Sequence, residues 1–136
     1  RIRSYLVEAA DRHDLTLVQY LHNWGADING TSWGYGSGYF NALFTLGSSA
    51  DDINVMRYLI AQGINVNYVA GSGTTPLMYF AKMWIDSGVR QNLLKMLLDA
   101  GADPAVRDKD GKTAVDYCMA HNDLESARFL QTYQRQ

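Results

Sequence analysis

Apolar residues recur along this chain in two alternating helical settings. One set reads Leu17, Val18 and Leu21; Val55, Met56, Leu59 and Ile60; Leu93, Leu94, Leu97 and Leu98; and finally Ala127 and Leu130, the i, i+1, i+4 spacing of a buried helix face. Ahead of each run stands a shorter group: Leu6, Ala9 and Ala10; Leu43, Leu46 and Gly47; Leu77, Phe80 and Ala81; Val115, Cys118 and Met119. The small members of these groups let a neighbouring helix approach closely. Each short group follows a residue that can accept an orphan backbone N–H as an N-cap, namely Ser4, Asn41, Thr75 and Thr113. Gly25, Gly63 and Gly101 close three of the longer runs, fit the left-handed position just past a helix end, and lie 38 residues apart both times. A fixed period of this size marks a repeat array. The pattern predicts an all-α solenoid of four helix-turn-helix units, about 1–29, 30–67, 68–108 and 109–136, forming a single domain.

Between the closing glycine and the next cap there are 12 positions in two of the three junctions, Gly63 to Thr75 and Gly101 to Thr113. Such short connectors, rich in Asn, Gly and Asp, suit turn-containing hairpins. At this point the chain resembles the ankyrin repeat. Thr75-Pro76-Leu77-Met78-Tyr79-Phe80-Ala81 follows the family's Thr-Pro-Leu-His-x-Ala-Ala pattern, closed by Leu97-Leu98 and Gly101-Ala102-Asp103, and the resemblance covers nearly the whole chain. Three departures stand out. The family histidine is replaced in all four units, by Val7, Phe44, Met78 and Asp116, so its hydrogen bonds must be missing or made otherwise. The first junction is longer, Gly25 to Asn41 being 16 positions, and the third unit carries about five extra residues near Met83–Arg90. Insertions in repeat arrays collect on exposed loops and often on the binding face.

Composition narrows the partners. The chain of 136 residues carries a net charge of -2 with Lys and Arg scattered, which argues against a nucleic-acid footprint. No 18-residue apolar stretch exists to span a membrane. The single cysteine, Cys118, cannot form an internal disulfide and so leaves the compartment open. Arg1 in place of methionine implies a trimmed start or a removed leader. A cytoplasmic location is the default, and an exported or periplasmic one follows if a leader was removed. Polar residues at both ends, Arg1, Arg3 and Asp11 to Asp14 at one and Gln131 in the place of Leu98 at the other, suit a self-contained array that is monomeric when free.

Other chemistry finds little support. Asp108-Lys109-Asp110-Gly111-Lys112-Thr113 imitates a phosphate loop, but the glycine required five residues earlier falls at Val106. It imitates a calcium loop too, but its glycine comes two positions early. A hairpin tip is the simpler reading. His13, His22 and His121 fall in different elements, and Cys118 with His121 makes at most a two-ligand site, so no metal or cofactor is expected. No nucleophile stands in the context of a base and an orienting acid. Asp51-Asp52 reads as a helix start whose carboxylates meet the dipole. The chain is not expected to be an enzyme.

Binding has a sharper signal. Thr31 to Phe40 interleaves glycine with Trp33, Tyr35 and Tyr39, large rigid side chains with hydrogen-bonding tips of the kind enriched in hot spots. Phe40 is expected to pack inward. The ankyrin resemblance implies that partners are held by hairpin fingers and by the exposed face of each first helix. By position this gives Glu8 and Arg12, Thr45 and Ser49, Tyr79 and Met83, and Tyr117 and His121 as one concave strip. Tyr68 on the second finger and Trp84 in the insertion flank it. The expected function is therefore a module that binds a folded protein partner. Compact members of the resembled family commonly inhibit an enzyme, and in bacteria some look like immunity or self-protection proteins for a toxic hydrolase. A non-inhibitory scaffold or regulatory adaptor is the alternative.

Overall fold

The computed structural model describes residues 4–34 and 38–133. Its helices are α1 (Tyr5–Asp11), α2 (Leu15–Asn23), α3 (Ala50–Ala61), α4 (Pro76–Ala81), α5 (Ser87–Asp99), α6 (Ala114–Ala120) and α7 (Leu124–Thr132). Strands β1 (Thr31–Gly34) and β2 (Gly38–Asn41) form an antiparallel hairpin in which Trp33 pairs with Tyr39.

The caps follow the sequence signals. Ser4, Asn41, Thr75 and Thr113 accept the backbone N–H groups of Val7, Leu43, Met78 and Asp116. In the fourth unit Asp116 returns the bond to Thr113 as a capping box, which is the local use of a residue standing in the place of the family histidine. Gly25, Gly63 and Gly101 adopt φ of 101°, 87° and 103°, the left-handed geometry that ends α2, α3 and α5.

Two rows of elements result. α1 packs on the 3-10 turn Ala42–Thr45, that turn on α4, and α4 on α6; behind them α2 packs on α3, α3 on α5, and α5 on α7. Val18, Leu59, Leu93, Leu94 and Leu97 between the rows have no exposed surface. This is an ankyrin-type solenoid. Asparagines stitch its junctions together, because Asn29 Oδ1 accepts the N–H of Asn65 at 2.7 Å and Asn67 Oδ1 accepts that of Asp103 at 2.8 Å. Each bond spans one repeat and satisfies a backbone donor that the helices leave over.

The second unit departs from the expected pair of helices. Its first element is only the 3-10 turn Ala42–Thr45, after which Leu46 is already extended with ψ 145°. The cause is local: β2 runs straight into the Asn41 cap, and Ser49 must cap α3, so Gly47 and Ser48 are consumed in turning. Ser49 therefore accepts the N–H of Asp52 as a helix cap and does not belong to a first-helix strip.

Candidate protein-binding surface

Three fingers stand side by side at one end of the units. The first is the β1–β2 hairpin. The second turns where Ala70 N–H meets the Thr74 carbonyl, and the third where Asp108 N–H meets that of Lys112. They are in close contact: a Cβ at Gly73 would lie 3.0 Å from the Lys109 nitrogen, and Lys109 N–H donates to Ser72 O across the same seam. Only glycine permits that approach.

On the first finger Trp33 is 46% exposed and stands edge-on to half-buried Tyr39, with ring centroids 5.1 Å apart. The pairing holds a large amphipathic ring in one orientation without burying it, which lowers the entropy lost on binding. Phe40 packs against the core as expected. Tyr35 lies outside the described residues.

Tyr68 and Tyr79 have a more structural role than the sequence suggested. Both are half-buried and both pack edge or tilted against Phe44, at 6.2 and 5.6 Å, while the Tyr79 hydroxyl donates to the Leu46 carbonyl at 3.1 Å. Tyr79 thereby props the shortened second unit against the third, and burial pushes its hydroxyl pKa up. Thr45 turns its hydroxyl inward to the Ala42 carbonyl.

Further along the first-helix row, the Lys82 ammonium sits 4.5 Å above the half-buried Tyr117 ring. Tyr117 donates its hydroxyl to Asp108; that bond, aided by burial, pushes the phenol pKa up to about 12, and the same bond with one from the Lys112 N–H holds the Asp108 carboxyl below its ordinary range. At the start of the row, Glu8 is half-buried and Arg12 is exposed at the end of α1.

The opposite end of the units carries the insertion of the third. Met83 is half-buried, and its carbonyl accepts two bonds from the Arg90 guanidinium at 2.9 and 2.8 Å. Trp84 is 89% exposed and stands edge-on to His121 at 4.3 Å. His121 Nε2 bonds the Lys82 carbonyl, which can only accept, so that nitrogen carries the proton. The strip residues thus separate into two groups, one along the fingers and first helices and one around Trp84.

Three features escaped the sequence reading. Arg90 and Asp123 form a buried ion pair between units, and His13 Nδ1 lies 2.5 Å from Asp52, whose carboxylate is buried. Asp52 also accepts the Ser49 hydroxyl, so it is more than a helix-dipole residue. The signal available was spacing: His13 and Asp52 are 39 residues apart, as are Ser87 and Ser126, which share the Asp123 network. The third feature is the leading face of the first unit, where Tyr5 is 71% and Trp24 77% exposed beside a groove of about 530 Å³. Ala42, Pro76 and Ala114, which follow the caps of the later units as Tyr5 follows Ser4, are buried. The polar turn Asp11 to Asp14 is exposed as expected, and the aromatic pair stands at the other end of the two helices, Tyr5 at the start of α1 and Trp24 just past α2.

Among the described residues no three His, Cys, Asp or Glu side chains converge on a common point, and no helix is long and apolar enough to cross a membrane. Two overlapping stretches, residues 6–108 and 44–135, match the family described as ankyrin repeats (3 copies). The chain belongs to the ankyrin-repeat family, a fold of protein–protein interaction modules. It is 31% identical over 124 residues to the E3 ubiquitin-protein ligase hecd-1 of Caenorhabditis elegans, covering 90% of this chain and 4% of that protein. It is 34% identical over 88 residues to the ankyrin repeat and LEM domain-containing protein 1 homolog of the same species, covering 65% of this chain and 11% of that protein. To the ankyrin repeat protein YahD of Escherichia coli (strain K12) it is 30% identical over 119 residues, covering 86% of this chain and 56% of that one. The chain therefore spans from 4% to 56% of the length of these relatives.

Proposed function

We propose that this chain acts by binding, without catalysis of its own, and that it grips one folded protein partner with its fingers and first-helix row. The observation that carries the proposal is Trp33, nearly half exposed yet held by Tyr39 on the finger that is longer than its neighbours. In this reading the partner, anchored on Trp33 and Tyr39, also meets Tyr68, Thr45, Tyr79 and Tyr117 along the fingers and first-helix row, with Glu8 and Arg12 at the start of that row. Family membership supports the interaction role.

In its more specific form, the partner is an enzyme that the grip inhibits, as a self-protection or immunity protein would do. Capture of the partner followed by mass spectrometry identifies it, and an assay of its activity with and without this chain separates an inhibitor from a scaffold or adaptor. The direct test of the surface is Trp33→Ala combined with Tyr35→Ala. Affinity should fall by about 2 kcal/mol or more per anchor while melting temperature barely moves. A large loss of stability with unchanged affinity would overturn the reading.

A further inference from the structure

The insertion of the third unit builds a second surface, at the far end of α4 from the second finger. Trp84, Ile85, His121, Leu124 and Glu125 line an open groove of about 390 Å³ between the Lys82–Asp86 connector and the start of α7. Its rigid side is formed by Arg90, which is 2% exposed. Its guanidinium bonds the Met83 carbonyl twice, the Ile85 carbonyl at 3.3 Å and Asp123 at 3.0 Å. The connector is therefore fastened from below, and Trp84 is presented outward by a fixed backbone.

The charge left in the groove is negative. Arg90 and Asp123 neutralise one another, while Glu125 is exposed and forms no ion pair among the described residues. The nearby cation on the same connector, Lys82, is already seated on Tyr117. An indole that is 89% exposed, lining one groove with an unpaired carboxylate, is an arrangement that receives a flat cation, stacking on the ring while its N–H groups reach the acid. We infer that this groove holds an arginine side chain of a protein segment, with the guanidinium lying on Trp84 and donating to Glu125. Arginine fits better than lysine, because a planar, weakly hydrated cation can stack and hydrogen-bond at once.

The inference goes beyond the finger surface and stands without it. Blocked tripeptides acetyl-Gly-Arg-Gly-amide, its norleucine analogue and its glutamate analogue are titrated into the full chain at low salt. The indole N–H signals of Trp24, Trp33 and Trp84 in a nitrogen–proton correlation spectrum report each site separately. The expected result is a saturable shift at Trp84 with the arginine peptide alone. Glu125→Gln should weaken it by up to about fivefold, the scale of an exposed ion pair, and Trp33→Ala should leave it unchanged. Trp84→Phe, which removes the reporter, serves to assign the signal, and the rest of the spectrum shows that each variant is folded. No shift at Trp84, or an equal shift with norleucine or glutamate, overturns the inference. Loss of partner binding in the Trp33 variant with an intact arginine titration would separate the two surfaces.

Discussion

Arg90 of α5 reaches Asp123 at the cap of α7, Nε to Oδ2 3.0 Å, with the two side chains only 3% and 8% exposed. The carboxylate also accepts from the hydroxyls of Ser87 and Ser126, both at 2.6 Å, and the guanidinium holds the carbonyls of the insertion. Removing one partner leaves a charge buried without its counterpart. Arg90→Met should therefore cost about 3–5 kcal/mol in urea unfolding. Adding Asp123→Asn should cost less than the separate effects predict. Burial pushes the Asp123 carboxyl up, but the bonds from Ser126 and Ser87 and the Arg90 charge outweigh it and hold the group below its ordinary 3.8. This contribution is present above the ordinary carboxylate value and is lost as pH falls through the lower folded one.

The bond between His13 and Asp52 joins the first unit to the second and behaves in the opposite sense. The hydrogen bond to Asp52 and its negative charge raise the imidazole above 6.5, against a smaller opposing effect of burial, with Asp11 and Asp51 adding to the rise. A cation stabilised in this way contributes fully below pH 6.5 and loses its contribution as pH rises through the raised value. Melting temperature measured from pH 6.5 upward should decline in the native chain, and the decline should be smaller in His13→Gln. Parallel curves for the two proteins would refute the link.

Cys118 is fully buried, and burial pushes its thiol up to about 11. Only thiolate reacts at a useful rate. Ellman's reagent at neutral pH should leave the native protein unlabelled and label it on denaturation. Rapid native labelling would contradict the packing of α6.

Leu97 of α5 has no exposed surface and lies between the two rows. Leu97→Ala should lower stability by about 2–5 kcal/mol, since the rows can collapse only partly around the void.

At Gly63, with φ 87°, an added Cβ meets nothing within 4 Å, so Gly63→Ala carries only the backbone penalty. That penalty is about 1–2 kcal/mol, measurable as a lower urea midpoint with an unchanged slope.

What the sequence determined by itself was the local and the periodic. Ser4, Thr75 and Thr113 begin helices because their oxygens serve the first turn, the glycines end them because only glycine enters the left-handed region freely, and the 38-residue spacing stacks one pair on the next. These need no knowledge of distant neighbours. Tertiary structure decided the rest. Whether Asn41 starts a helix or a single 3-10 turn depended on where Ser49 had to cap α3, and the packing of Tyr79 on Phe44 with its hydroxyl on the Leu46 carbonyl depended on that shortened turn. His13 with Asp52, and Arg90 with Asp123, are pairs between units that meet only once the units have stacked, and for Arg90 and Asp123 the stacking also excludes the water that would screen them.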